Sequence, residues 1–102
     1  MKITNPQPLM TTLKQQEENV YTLDWGTIKK GSESNRQLTV EDYQSKNLVT
    51  KASCGCTKPK MIKPNMLNIK YNTNLLGRIL KSVYIFDDEE KVTIKMIGKI
   101  EN

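Results

Sequence analysis

From Val20 onward the apolar residues of this chain recur at every second position in short runs, the spacing at which side chains of an extended strand share one face. Val20-Tyr21-Thr22-Leu23-Asp24-Trp25 opens the series, and residues 26–31 add a short extended piece that closes on the turn glycine Gly31. Leu38 and Val40 alternate with Gln37, Thr39 and Glu41; Leu67, Ile69 and Tyr71 alternate with Asn68 and Lys70. Residues 48–53 run extended between these two segments. In 78–86, Ile79, Val83 and Ile85 point one way and Leu80, Tyr84 and Phe86 the other, which predicts a strand covered on both faces. Val92, Ile94, Met96 and Ile100 then alternate with Thr93, Lys95 and Lys99, and the acidic turn Asp87-Asp88-Glu89-Glu90 joins these last two strands into a hairpin. Asp42 to Lys46 reads as a polar connection and 72–77 as a turn, while Pro59 and Pro64 exclude a central strand between them.

About seven short strands with turn signals between them predict an all-β immunoglobulin-like sandwich over residues 20–102, although the Cys-Trp-Cys spacing of antibody domains is absent. Residues 1–19 differ. Pro6 and Pro8 precede the polar run Thr11 to Asn19, which lacks β alternation, so this stretch is expected to form a short N-terminal arm outside the core, available as a tether.

One hundred and two residues suffice for a single core. A hydrophobic content of 36% and a mean hydropathy of -0.61 predict a thin one. Sixteen Lys and Arg against eleven Asp and Glu give a net charge of +5, which invites an acidic partner. The lysines are strewn along the chain with only Lys29-Lys30 and Lys58-Pro59-Lys60 as close groups, a distribution that argues against direct nucleic-acid binding and for solvated strand faces. Met1 to Met10 carries no apolar export core and no run reaches the length of a membrane span; synthesis in the cytoplasm, with no membrane partner, is expected.

Candidate chemistry is confined to Ser53-Cys54-Gly55-Cys56-Thr57, which holds both cysteines. The i and i+2 sulfurs share a face of an extended strand, but a bridge between them requires a bend, which Gly55 permits. A ring so small would act as a local clip. With no third cysteine and no histidine, a self-contained zinc site is nearly excluded. Cu(I) held by Cys54 and Cys56 with Met61 or Met66, and a redox dithiol, remain chemically allowed beside the structural reading of buried thiols or a clip. Cytoplasmic residence would keep the thiols reduced unless the protein is later released from the cell. Without histidine the commonest general base is missing, no glycine-rich phosphate loop is present, and the paired acids at 87–90 share one solvated turn; no enzyme activity and no cofactor are expected. Trp25, beside Gly26, is read as a core or corner residue.

The motifs, in their order, resemble a known family. Leu23-Asp24-Trp25-Gly26-Thr27-Ile28 with Gly31, then Ser53-Cys54-Gly55-Cys56-Thr57, Ile62-Lys63-Pro64-Asn65, Gly77-Arg78 with Lys81, and Ile97-Gly98-Lys99-Ile100 are similar to the bacterial and phage domain-of-unknown-function family numbered fifteen-seventy-three. Trp25 stands where that family usually has phenylalanine and Asn65 where it has glycine, and its usual turn is replaced around Asp42 to Lys46. The resemblance implies an immunoglobulin-like module of the major-sperm-protein type with Cys54, Gly55, Cys56, Trp25 and Gly26 as its structural motif. It also implies a noncatalytic structural or adhesion role. Short members of this kind look like virion proteins of tailed phages such as the large cyanophages. The implied function is therefore a virion component that docks on the head, neck or tail, with other virion proteins as partners and a homo-oligomeric or multicopy arrangement. The alternative is a cellular or host-directed protein-binding module, and a more remote one is a Cys-x-Cys metal or redox protein.

Overall fold

The computed structural model describes residues 1–7, 10–41, 48–62 and 65–102; the connection expected at Asp42 to Lys46 and the breaker Pro64 lie outside them. Every regular element among the described residues is a strand: β1 Lys2–Thr4, β2 Thr12–Glu17, β3 Val20–Lys29, β4 Asn35–Glu41, β5 Val49–Ala52, β6 Thr57–Ile62, β7 Met66–Tyr71, β8 Gly77–Phe86 and β9 Lys91–Glu101. They form two packed sheets, one of four strands in the order β1-β4-β7-β6 and one of five in the order β2-β3-β9-β8-β5. All neighbouring strands are antiparallel except β3 and β9, which run parallel. The protein is thus an all-β sandwich with seven strands, β3 to β9, in residues 20–102; the two pieces expected at 20–25 and 26–31 are one strand, and β6 makes up the number.

The inward-facing members of each alternating run make the core. Leu23 and Trp25 of β3, Leu38 and Val40 of β4, Leu67, Ile69 and Tyr71 of β7, Ile79, Val83 and Ile85 of β8, and Val92, Ile94, Met96 and Ile100 of β9 are all buried in it. Burying such side chains is worth about 1.5–3 kcal/mol each before the entropy of ordering the chain is set against it. The parity of the sequence pattern therefore decides which face of each strand points inward.

Three expectations need correction. First, residues 1–19 are not an arm outside the core: β1 pairs with β4, β2 pairs with β3, and Ile3 is buried among the core residues. The Ile3 amide donates to the Tyr21 hydroxyl at 3.2 Å, tying one sheet to the other. Second, the span around Pro59 is a strand, β6, in register with β7 from Thr57 opposite Tyr71 to Ile62 opposite Met66. It lies at a sheet edge, where a proline is tolerated because one side of the strand needs no ladder bonds. Third, β8 is covered on one face only, and its outward-facing Leu80 is 72% exposed.

Residues 20–29 are a single strand interrupted by a bulge. In the β3–β9 register Asp24 faces Ile97 and Thr27 faces Lys99, so Trp25 and Gly26 together oppose Gly98. Gly26 adopts φ 68° and Gly98 φ 151°, both in the region that favours glycine. The extra residue shifts the alternation by one, so that Trp25 and then Ile28, rather than Thr27, turn toward the core.

Candidate functional site

Ser53 to Cys56 occupies the corner where the chain leaves the five-stranded sheet at β5 and enters the four-stranded sheet at β6. Backbone and side-chain hydrogen bonds hold it. The Ser53 amide donates to the Ser82 carbonyl and the Ser82 amide to Ser53 Oγ, each at 2.9 Å; the Thr57 amide donates to the Cys54 carbonyl and the Asn72 amide to the Cys56 carbonyl, each at 3.1 Å. Cys54 and Cys56 are joined by a disulfide across a Cα–Cα distance of 5.2 Å. This is the clip among the alternatives left open by the sequence. For so short a loop the entropic contribution is on the order of 1–2 kcal/mol. Gly55 is exposed, lies outside the positive-φ region, and has no neighbour within 4 Å of where a Cβ would stand, so the bend does not demand glycine there.

Trp25 and Gly26 lie apart from this corner, at the bulge. Trp25 is 1% exposed and meets Tyr71 edge-on, ring centroids 5.8 Å apart at 63°. Arg36, 3% exposed, lays its guanidinium 4.2 Å from the centroid of the Trp25 ring. Its Nη1 donates to the carbonyls of Glu33 at 2.6 Å and Asn35 at 2.9 Å, whereas its Nε and the Trp25 Nε1 are buried with no hydrogen-bond partner among the described residues. Burial pulls the Arg36 pKa below the usual arginine value, an effect partly opposed by the Glu33 carboxylate. The sequence reading missed Arg36, although parity with Leu38 and Val40 would have placed it inward.

The surface with the most to offer a partner is the outer face of the five-stranded sheet. The register places Leu80 beside Ile97, Ser82 beside Lys95, Tyr84 between Lys51 and Thr93, and Phe86 between Val49 and Lys91. Apolar and aromatic side chains thus run down β8, with Leu80 72% and Val49 45% exposed. Lys91 Nζ stands 4.6 Å from the Tyr84 ring centroid and Lys51 Nζ 5.8 Å from that of Phe86. Arg78 and Lys99 face each other at the far end of the column. Leu80, Ile97, Thr22, Ser53, Ser82 and Lys95 border a shallow depression of about 570 Å³. The column is therefore largely apolar, interrupted by Ser82 beside Lys95, with lysines along its sides and the acidic turn Asp87 to Glu90 at its Phe86 end. The sequence does not show it, because apolar residues of both parities in one strand predict burial on both sides.

Among the described residues no helix is long and apolar enough to cross a membrane. No protein-family model matches the chain, and no curated protein matches it. A solved structure, an endo-fucoidan hydrolase from glycoside hydrolase family 107, superposes with a TM-score of 0.56 at 12% identity. The superposition covers 87% of this chain and 14% of that one, so this chain is similar in fold to about one-seventh of a much larger protein.

Proposed function

We propose that this protein is a noncatalytic structural module of a tailed-phage particle, docking on the head, neck or tail through the outer face of its five-stranded sheet. The observation that carries the docking face is the exposed Leu80 beside the half-buried Ile97, in line with Tyr84, Phe86 and Val49 and flanked by Lys51, Lys91 and Lys95. A scattered exposed leucine means little, but apolar residues in one column rimmed by like charge are the composition of an interface. The lysines along its sides suit an acidic protein shell, to which they would steer the module before the apolar residues close on it. The virion assignment draws on the resemblance carried by the SCGCT corner and its neighbouring motifs. A rigid sandwich repeated in many copies on a shell needs no active site, and partner binding through one face leaves the rest of the surface solvated.

Mass spectrometry of purified particles tests the assignment: the chain should be recovered in stoichiometric copies per particle. Its absence from particles, with binding to a host or cellular protein instead, would replace this reading by that of a cellular or host-directed binding module using the same face.

A further inference from the structure

An open cleft of about 550 Å³ adjoins the Cys-Gly-Cys corner, within the size range of small-molecule sites. Gly55 and Cys56 line it, and Cys54 does not. Lys58 and Lys70 line it too, directly opposite each other across β6 and β7. No carboxylate lines the cleft, and neither lysine makes an ion pair among the described residues. Like charges set opposite one another in a ladder repel, and an anion lying between them relieves that repulsion. The Cys56 amide donates to Cys54 Sγ at 3.2 Å. Cys56 thus lines a cationic cleft, although its side chain also packs against the core and its Sγ stands 3.7 Å from Thr57 Oγ1, while Cys54 Sγ holds a hydrogen-bond donor suited to negative charge.

We propose that Cys54–Cys56 is a reactive disulfide that oxidises small anionic peptide thiols, which dock by their carboxylates on Lys58 and Lys70. This inference stands independently of the docking face. The incoming thiolate approaches from the cleft and attacks Cys56 Sγ. A new sulfur–sulfur bond forms there as the Cys54–Cys56 bond breaks, and the electron pair leaves on Cys54 Sγ, where the Cys56 amide stabilises the thiolate until it takes a proton from water. A second thiolate then attacks the sulfur of the bound peptide in the mixed disulfide, releasing the disulfide of the small thiol and the Cys56 thiolate, which takes a proton from water. Two thiols are oxidised to one disulfide, and Cys54 and Cys56 take up two electrons and two protons. The backbone bonds from Thr57 to Cys54 and from Asn72 to Cys56 do not involve sulfur and remain available when the bridge opens.

The test uses the oxidised chain with glutathione as the anionic probe and cysteamine as the cationic one, and a disulfide-closed Ser-Cys-Gly-Cys-Thr peptide as the reference for intrinsic reactivity. After alkylation of free thiols, peptide mass spectrometry should find the glutathione adduct on Cys56 and the alkyl group on Cys54. Relative to the peptide, the protein should favour glutathione over cysteamine. In the Lys58→Glu/Lys70→Glu protein that preference should fall by about tenfold, and in Lys58→Gln/Lys70→Gln by an intermediate amount, with the circular dichroism of both unchanged. Addition at Cys54, a glutathione rate no greater than that of the peptide, or a preference untouched by either pair of lysine changes would overturn the proposal.

Discussion

At the scale of single residues, the tightest constraints lie at the bulge rather than at the cysteines. A Cβ on Gly98 would sit 2.9 Å from the Gly26 carbonyl oxygen and 3.0 Å from Trp25 Cβ, on a backbone already at φ 151°. Gly98→Ala should therefore cost about 2–3 kcal/mol. Gly55→Ala, with open space around it, should stay within about 0.5 kcal/mol of the parent. Urea unfolding followed by Trp25 fluorescence measures both, and equal effects would show that the bulge is not what confines Gly98. Arg36 offers a second test. Its guanidinium is buried with an unpartnered Nε, and removing such a charge while keeping the volume is often neutral or better. Arg36→Met should lie within about 1 kcal/mol of the parent, whereas Arg36→Ala, which strips the stack from Trp25 and leaves a void, should lose about 2 kcal/mol. Neither constraint was legible in the sequence, for a shared reason. Gly26 and Gly98 meet only because β3 and β9 pair in parallel, and Arg36 reaches Trp25 from the opposite sheet.

Among the elements, those that alternation marks were legible and those held only by an edge were not. In β4, β7, β8 and β9 each inward position carries an apolar side chain over several residues, apart from Arg36 and Lys81 and the bulge at Gly98, so parity alone orients the strand. β1 is three residues long, too short to show a period. β2, of sequence TLKQQE, has one apolar residue, Leu13, and that one rests against the core. Their backbones find partners in β4 and β3 because those strands would otherwise present unpaired edges, a cause that no local pattern records. The tether reading and the structure make opposite predictions for truncation. Removing residues 1–19 from a tethered sandwich should leave stability unchanged. Removing two paired strands and the buried Ile3 should cost more than about 3 kcal/mol, read as a lowered midpoint in thermal or urea unfolding. Ile3→Ala alone should cost about 2–4 kcal/mol, since it empties a fully enclosed site.

For the molecule as a whole, a two-sheet scaffold separates what stabilises the fold from what it shows to a partner. Inner positions of β8 and β9 are almost wholly enclosed, and outer positions of the same strands carry the exposed Leu80 and its lysine margin. The same separation makes the docking proposal testable without unfolding the protein. Leu80 gives little to the core from its outward position, so Leu80→Glu should shift stability by no more than about 0.5 kcal/mol. Placing a charge at the most exposed apolar position of the column should nevertheless abolish incorporation into particles, measured as copies per particle after complementation, because a desolvated and unpaired carboxylate in an interface is costly. Lys51→Glu and Lys95→Glu act at the margin. They should slow association and weaken its dependence on ionic strength while leaving dissociation largely unchanged, which surface plasmon resonance against isolated shell proteins at two salt concentrations resolves. A Cys54→Ser/Cys56→Ser protein should dock as the parent does, with only the modest stability loss expected of a short clip. Loss of docking in that protein with Leu80→Glu still incorporated would move the interface from the sheet face to the corner. Loss in neither would leave the column as ordinary solvated surface.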